Sequence, residues 1–205
     1  MRSRAAAAIL TRGGFKEVYS MEGGIHAWKG MVASGAPEAG IAYFPAESTP
    51  SELTALAWLL EDGTRKFYLE VASKLKDLET GSLFKELAAL EGKHKEKLFA
   101  IHLAISAMAE DPEYPASVIS FPSEGGYMEG GVEVGKALDW ARERSPEEIL
   151  EYALSLEINS YDLHLKMEER VKDPRAKEMF VSLAGEEKGH LLRLQDQFLK
   201  LMTAS

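Results

Sequence analysis

Two stretches decide the fold: Phe84-Lys-Glu-Leu87-Ala-Ala-Leu-Glu91-Gly-Lys-His94-Lys-Glu-Lys-Leu98, and Phe180-Val-Ser-Leu183-Ala-Gly-Glu-Glu187-Lys-Gly-His190-Leu-Leu-Arg-Leu194. In each, Phe, Leu and Leu recur at helical spacing, and the Glu and His of a Glu-x-x-His motif fall within the same apolar seam. A helix that buries this row also buries a carboxylate and an imidazole, three residues apart on one face.

Three helix starts flank these stretches. Thr49-Pro50, Ser145-Pro146 and Asp173-Pro174 each place a capping side chain ahead of a proline, which the first helical position tolerates. A fourth start falls near Thr80 to Ser82. The expected helices are 50–78, 82–108, 146–172 and 174–202, each about 40 Å long, and four long helices of equal length predict a mainly α bundle. The first offers the core positions Leu53, Ala57, Leu60, Thr64, Tyr68, Val71, Leu75 and Leu78, with Glu61 flanked by them. The third offers Leu150, Glu157, His164 and Val171.

Each helix therefore turns one carboxylate inward. An unpaired buried carboxylate costs several kcal/mol, on the order of the penalty for any buried ion, and four together also repel. Two divalent cations would neutralise them. The chain has no cysteine, so thiolate metal sites, iron-sulfur clusters and cysteine nucleophiles are excluded, and the ligands must be oxygen and nitrogen. Such a set suits iron or manganese, with zinc as a further alternative. His164 lies one heptad beyond Glu157 on the same face; it reads as a satisfied core histidine, or else as part of a proton relay or an unusual site.

The 33 acidic residues outnumber 24 basic ones, giving a net charge of -9. No basic stripe is available for phosphates, which argues against nucleic acid as partner. No apolar run approaches the roughly 20 residues of a membrane span, so a cytoplasmic location is expected. The connection 109–144 is too long for a turn between neighbouring helices. It must cross the bundle and let the second and third helices run parallel, with a short helix within Val132 to Ala141. Its Tyr127-Met128-Glu129-Gly130-Gly131 reads as a Gly-rich turn, with a lid as the alternative. A long hinge also permits exchange of helix pairs, and a homodimer, helix-swapped or not, is expected.

Two Glu-x-x-His motifs plus single inward Glu residues on the other two helices are the donor set of ferritin-like di-metal bundles. Over about 50–203 the sequence resembles the rubrerythrin branch of that superfamily. The resemblance implies Glu61 and Glu157 as terminal ligands, Glu91 and Glu187 as bridging ligands, and His94 and His190 as nitrogen ligands to two iron ions. Tyr68, two turns after Glu61, matches the tyrosine that the family places beside its ligands. Two departures matter. Peroxide-reducing rubrerythrins carry a further Glu three residues after the third-helix ligand, where this chain has Ser160. They also carry a rubredoxin-type iron on four cysteines, which this chain cannot build.

Residues 1–45 are Gly-rich and differ in character from the rest of the chain. Arg2-Ser-Arg-Ala-Ala-Ala-Ala-Ile-Leu10, and then Gly14-Phe15, Val18-Tyr19, Met21-Glu-Gly-Gly-Ile25, Ala27-Trp28 and Gly30, resemble the C-terminal third of a rhodanese domain. The expected organisation is thus a small α/β rhodanese remnant at 1–45 and a ferritin-like four-helix bundle at 46–205. The rhodanese nucleophile is a cysteine just ahead of the position matched by Arg2 and Ser3. Its absence argues against sulfurtransferase activity in this chain. Either the natural protein begins upstream of Met1, or the segment is a remnant used as a packing or dimerisation arm.

The functional expectation is a non-haem di-iron oxidoreductase acting on peroxide or dioxygen, with electrons from an external donor such as a rubredoxin-like protein. Iron oxidation and handling without dedicated turnover is one alternative. A sulfur-metabolism protein coupled to a complete rhodanese domain is another.

Overall fold

The computed structural model describes residues 48–76, 78–120, 126–171 and 173–204. The chain divides into two compact units, Met1–Ala39 and Gly40–Ser205, and everything described lies in the second. The rhodanese-like segment falls outside the described residues.

Four long helices form the bundle: α1 (Pro50–Lys74), α2 (Leu78–Ser106), α4 (Pro146–Arg170) and α5 (Pro174–Ala204), with a short α3 (Val134–Ala141) in the crossover. The proline-marked starts form as their sequences dictate. Thr49 Oγ1 accepts from the Glu52 amide while the Glu52 carboxylate accepts from the Thr49 amide, a reciprocal cap that satisfies two free N–H groups. Ser145 and Glu148 repeat it on α4, and Asp173 Oδ1 accepts from the Arg175 amide at the head of α5.

The first turn between helices differs from expectation. α1 stops at Lys74, where Leu75 turns extended, and α2 opens at Leu78 rather than at 80–82. Leu78 is exposed rather than in the core, because apolar spacing carries no mark of where the chain reverses. At the other end α2 stops at Ser106, with Ala107 in the left-handed region at φ 55° and the Met108 amide returning to the Leu103 carbonyl. That geometry closes the last helical turn.

The core comes in two apolar clusters. One holds Phe67, Val71, Phe84, Leu87, Leu150, Leu156 and Leu194, among others. The second holds Leu53, Leu60, Leu98, Leu163, Met167, Phe180 and Leu183, among others. On every long helix the inward acid lies between its contributions to the two clusters, so the polar residues form one layer with apolar packing on both sides. Along the chain α1 and α5 run from the second cluster to the first, whereas α2 and α4 run from the first to the second. α2 and α4 are therefore parallel, as the long crossover predicts.

The crossover packs on α1. Its strands β1 (Tyr127–Met128) and β2 (Val132–Glu133) pair antiparallel, with Met128 opposite Val132. Gly130 and Gly131 take φ of 80° and 70° in the turn, a conformation that favours glycine. Gly63 on α1 allows the close approach: a Cβ there would lie 2.0 Å from the Tyr127 carbonyl oxygen. Among the described residues no helix is long and apolar enough to cross a membrane.

Candidate metal centre

The packing of α1, α2, α4 and α5 brings Glu61, Glu91, His94, Glu157, Glu187 and His190 into the polar layer, each at most 3% exposed. Around His94 Nδ1 lie Glu91 Oε2 at 3.1 Å, Glu61 Oε2 at 3.2 Å and Glu187 Oε1 at 3.3 Å. Around His190 Nδ1 lie Glu157 Oε2 at 3.0 Å, Glu187 Oε2 at 3.1 Å and Glu91 Oε1 at 3.4 Å. Glu91 and Glu187 thus divide their two oxygens between the two imidazoles, whereas of these two rings Glu61 approaches His94 and Glu157 approaches His190. Two groups of potential ligands result, Glu61/Glu91/His94/Glu187 and Glu91/Glu157/Glu187/His190, with the donor atoms of each group within 4.8 Å of one another.

The arrangement is internally duplicated. Thr49, Glu52, Glu61, Tyr68, Phe84, Glu91, His94 and Leu98 recur at one constant offset as Ser145, Glu148, Glu157, His164, Phe180, Glu187, His190 and Leu194. The hydrogen-bonded pairs His94/Glu61 and His190/Glu157 accordingly share one sequence separation of 33 residues. Aligning the two helical hairpins would have revealed this repeat; helical periodicity within one helix does not.

The residues fit a pair of cations better than they fit each other. An imidazole nitrogen carries at most one proton, yet three carboxylate oxygens converge on each. Both oxygens of Glu91, both of Glu187 and Oε1 of Glu61 are buried without a hydrogen-bond partner, a condition that burial penalises and a cation relieves. The protonation tendencies agree. Burial, together with Glu61 and Glu187, pushes the Glu91 carboxyl up to about 7. Burial and the charges of Glu187 and Glu91 also hold Glu157 well above the ordinary carboxylate range. Burial opposes charge on Glu61 and Glu187 as well, but the adjoining imidazoles outweigh it, bringing Glu61 down to about 2 and Glu187 well below its usual value. His94 and His190 are buried too, yet their carboxylate neighbours raise both far above the ordinary imidazole value. Two carboxyls and two imidazoles thus tend to hold protons in the space where two divalent ions would bring an equal charge.

Tyr68 is fully buried and its hydroxyl donates to Glu157 Oε1. Burial and the charges of Glu157 and Glu91 hold its phenol well above 10, so the proton stays on oxygen. His164 does not behave as a satisfied core histidine: its Nε2 faces Ser160 and two of the site carboxylates, and its Nδ1 has no hydrogen-bond partner.

Sequence reasoning missed Glu129, which sits in the Gly-rich turn of the crossover hairpin. Its amide donates to Thr64 Oγ1 at 3.3 Å, its side chain is 3% exposed, and its Oε2 has no hydrogen-bond partner. Burial, and then Glu61, Glu91 and Glu187, hold its carboxyl well above the ordinary range. An acid in a two-glycine turn has no periodicity to mark it as inward. Glu186, with Oε2 3.3 Å from His94 Nε2, was also unmarked, because it stands at the rim.

Comparison with known proteins agrees with this geometry. A family model described as Rubrerythrin matches residues 52–198. A hypothetical protein from Pyrococcus furiosus is similar in structure, with a TM-score of 0.58 and 24% identity, covering 84% of this chain and 99% of that one; at that identity the likeness concerns the fold. No curated protein matches. With its buried Glu and His layer and a family match that takes in all four bundle helices, the chain belongs to the rubrerythrin family.

Proposed function

We propose that this chain is a non-haem di-iron oxidoreductase that reduces peroxide or dioxygen with electrons from a separate donor protein. The observation that carries the reading is the division of Glu91 and Glu187 between two imidazoles, each ringed by three carboxylate oxygens. In this reading Glu61, Glu91, Glu187 and His94 hold one ion, and Glu157, Glu91, Glu187 and His190 hold the other. Two iron ions would supply the paired one-electron steps that no amino-acid side chain here can supply.

The chain's own residues perform the rest. Phe84, Leu87, Leu156, Phe180 and Leu183 cover the polar layer from both ends and keep water from it. In that low-dielectric setting, charge on the carboxylates responds strongly to any change at the ions. Tyr68 holds a proton at its hydroxyl and directs it to Glu157 Oε1, which fixes that carboxylate's orientation and limits its charge. With no cysteine in the chain, no rubredoxin-type iron can be built in it, which is why an external donor is part of the proposal.

Anaerobic loading of the full chain with Fe(II), followed by peroxide with a chemical reductant present, tests the reading. Peroxide consumption over many turnovers, lost in Glu91→Ala and Glu187→Ala, is expected. Bound iron that consumes peroxide no faster than the same iron free in solution would contradict it.

A further inference from the structure

The duplication breaks chemically at two positions of the site: Leu90 is matched by Glu186, which stands at the rim beside His94 Nε2, and a second break lies deeper in the layer. Where α1 carries Tyr68, the matching position of α4 is His164. Tyr68 hydrogen-bonds Glu157, the single carboxylate of the opposite half. His164 faces the corresponding carboxylate, Glu61, but in a different way. Its Nε2 lies 3.4 Å from Glu61 Oε1 and 3.7 Å from Glu187 Oε1.

These separations are too long for the charge-assisted hydrogen bonds of a buried imidazole and carboxylate, which run at about 2.7 to 2.9 Å. Both oxygens are without a hydrogen-bond partner. Two donors on one ion, each bound at about 2.1 Å and subtending a tetrahedral or octahedral angle, stand roughly 3.0 to 3.4 Å apart; the Glu61 separation falls at the upper end of that range and the Glu187 separation beyond it. The ring is fixed in this direction: His164 is 1% exposed, and it packs against Phe180 with centroids 5.9 Å apart. Ser160 Oγ lies 3.1 Å from Nε2. With the proton on Nδ1, Nε2 has a single lone pair; when that pair goes to the ion, the Ser160 hydroxyl turns to another acceptor.

We infer that His164 is a third nitrogen ligand, through Nε2, to the ion held by Glu61 and His94. The inference rests on the di-metal reading above. It makes the two ions unequal, one with two imidazoles and the other with one, whereas the six residues of the two ligand groups are arranged symmetrically. The unequal pair would favour different affinities at the two positions, and a softer ion at the position with more nitrogen.

Cobalt-substituted full-length protein tests this without any assay of turnover. Each cobalt-bound imidazole retains one N–H, which gives a solvent-exchangeable proton NMR signal shifted far from the protein envelope by the paramagnetic ion. Wild type should show three such signals at two bound cobalt ions. His164→Ala and the bulkier His164→Gln should each leave two, with one cobalt bound about tenfold more weakly. Two signals in wild type at full cobalt loading would overturn the inference and leave the di-metal reading standing, with His164 a positioning residue. No bound cobalt in wild type would overturn both. The wild-type count decides the matter even if a variant does not fold.

Discussion

The imidazoles of His94 and His190 stand nearly parallel across the bundle, with centroids 5.1 Å apart and planes 12° from one another. Two rings so placed, each raised towards its charged form by the carboxylates around Nδ1, would repel at that distance. Divalent ions bound at the two nitrogens would displace those protons and let both rings be neutral. The stacking arises from the duplication, since each half contributes one Glu-x-x-His motif from the same position of its second helix.

Metal loading should therefore expel protons. The ligands must be deprotonated to bind, and His94, His190, Glu91 and Glu157 all have raised values. Taking up two divalent ions at neutral pH should release about three to four protons per chain. Affinity should accordingly rise with pH, most steeply up to about 7, where Glu91 loses its proton. Calorimetric titration in buffers of different ionisation enthalpy counts the protons; release of none or one would count against the cluster as described.

Removing the Tyr68 hydroxyl should act on one half of the site. Tyr68→Phe leaves Glu157 Oε1 without its donor, a loss of about 1 to 3 kcal/mol for a buried charged acceptor. Two ions should still bind, with the Kd of the Glu157/His190 position raised about fivefold to a hundredfold by that energy. Equal weakening of both positions would show that Tyr68 acts on the bundle as a whole rather than on Glu157.

The crossover hairpin should be sensitive at Gly63. A methyl there would lie 2.0 Å from the Tyr127 carbonyl oxygen and 3.0 Å from the Met128 Cα, so backbone must move. Gly63→Ala should destabilise by about 3 kcal/mol or more, the upper range of overpacking. Gly185 on α5 is the control: nothing lies within 4 Å of its added Cβ, and Gly185→Ala should stabilise the helix by up to about 1 kcal/mol. Urea unfolding of both variants checks the contrast.

Glu129 carries a pH dependence. Its folded value is raised above the ordinary one by burial and then by Glu61, Glu91 and Glu187. Its stabilising protonated form is thus fully present below about pH 4.5 and is lost as pH rises towards the folded value. In protein stripped of metal, the group should cost about 1.4 kcal/mol per pH unit across that window. Glu129→Gln, neutral and of the same shape, should be more stable than wild type by a margin that widens as pH rises above about 4.5. A margin independent of pH would contradict this account of its burial.

The bundle is legible in the sequence because three of its helix starts combine a cap with proline and because each long helix has an apolar row. The inward acids are legible because Glu61, Glu91, Glu157 and Glu187 interrupt those rows at matching depth. Leu78 reads as core only because periodicity continues through a turn that the backbone alone reveals. Glu129 is invisible for the opposite reason: a turn has no periodicity, and its burial depends on the close approach that Gly63 permits. The role of His164 is hidden because spacing along one helix places a side chain on a face but does not say which carboxylate of another helix it meets.

The central claim is that Glu91 and Glu187 lie between two metal ions. Anomalous diffraction at the iron edge, from crystals of protein reconstituted with Fe(II) under anaerobic conditions, tests it most directly. The account predicts two peaks about 3.5 to 4 Å apart, one at His94 Nδ1 and one at His190 Nδ1, with Glu91 and Glu187 spanning them. A single peak, or none within this layer, would contradict it.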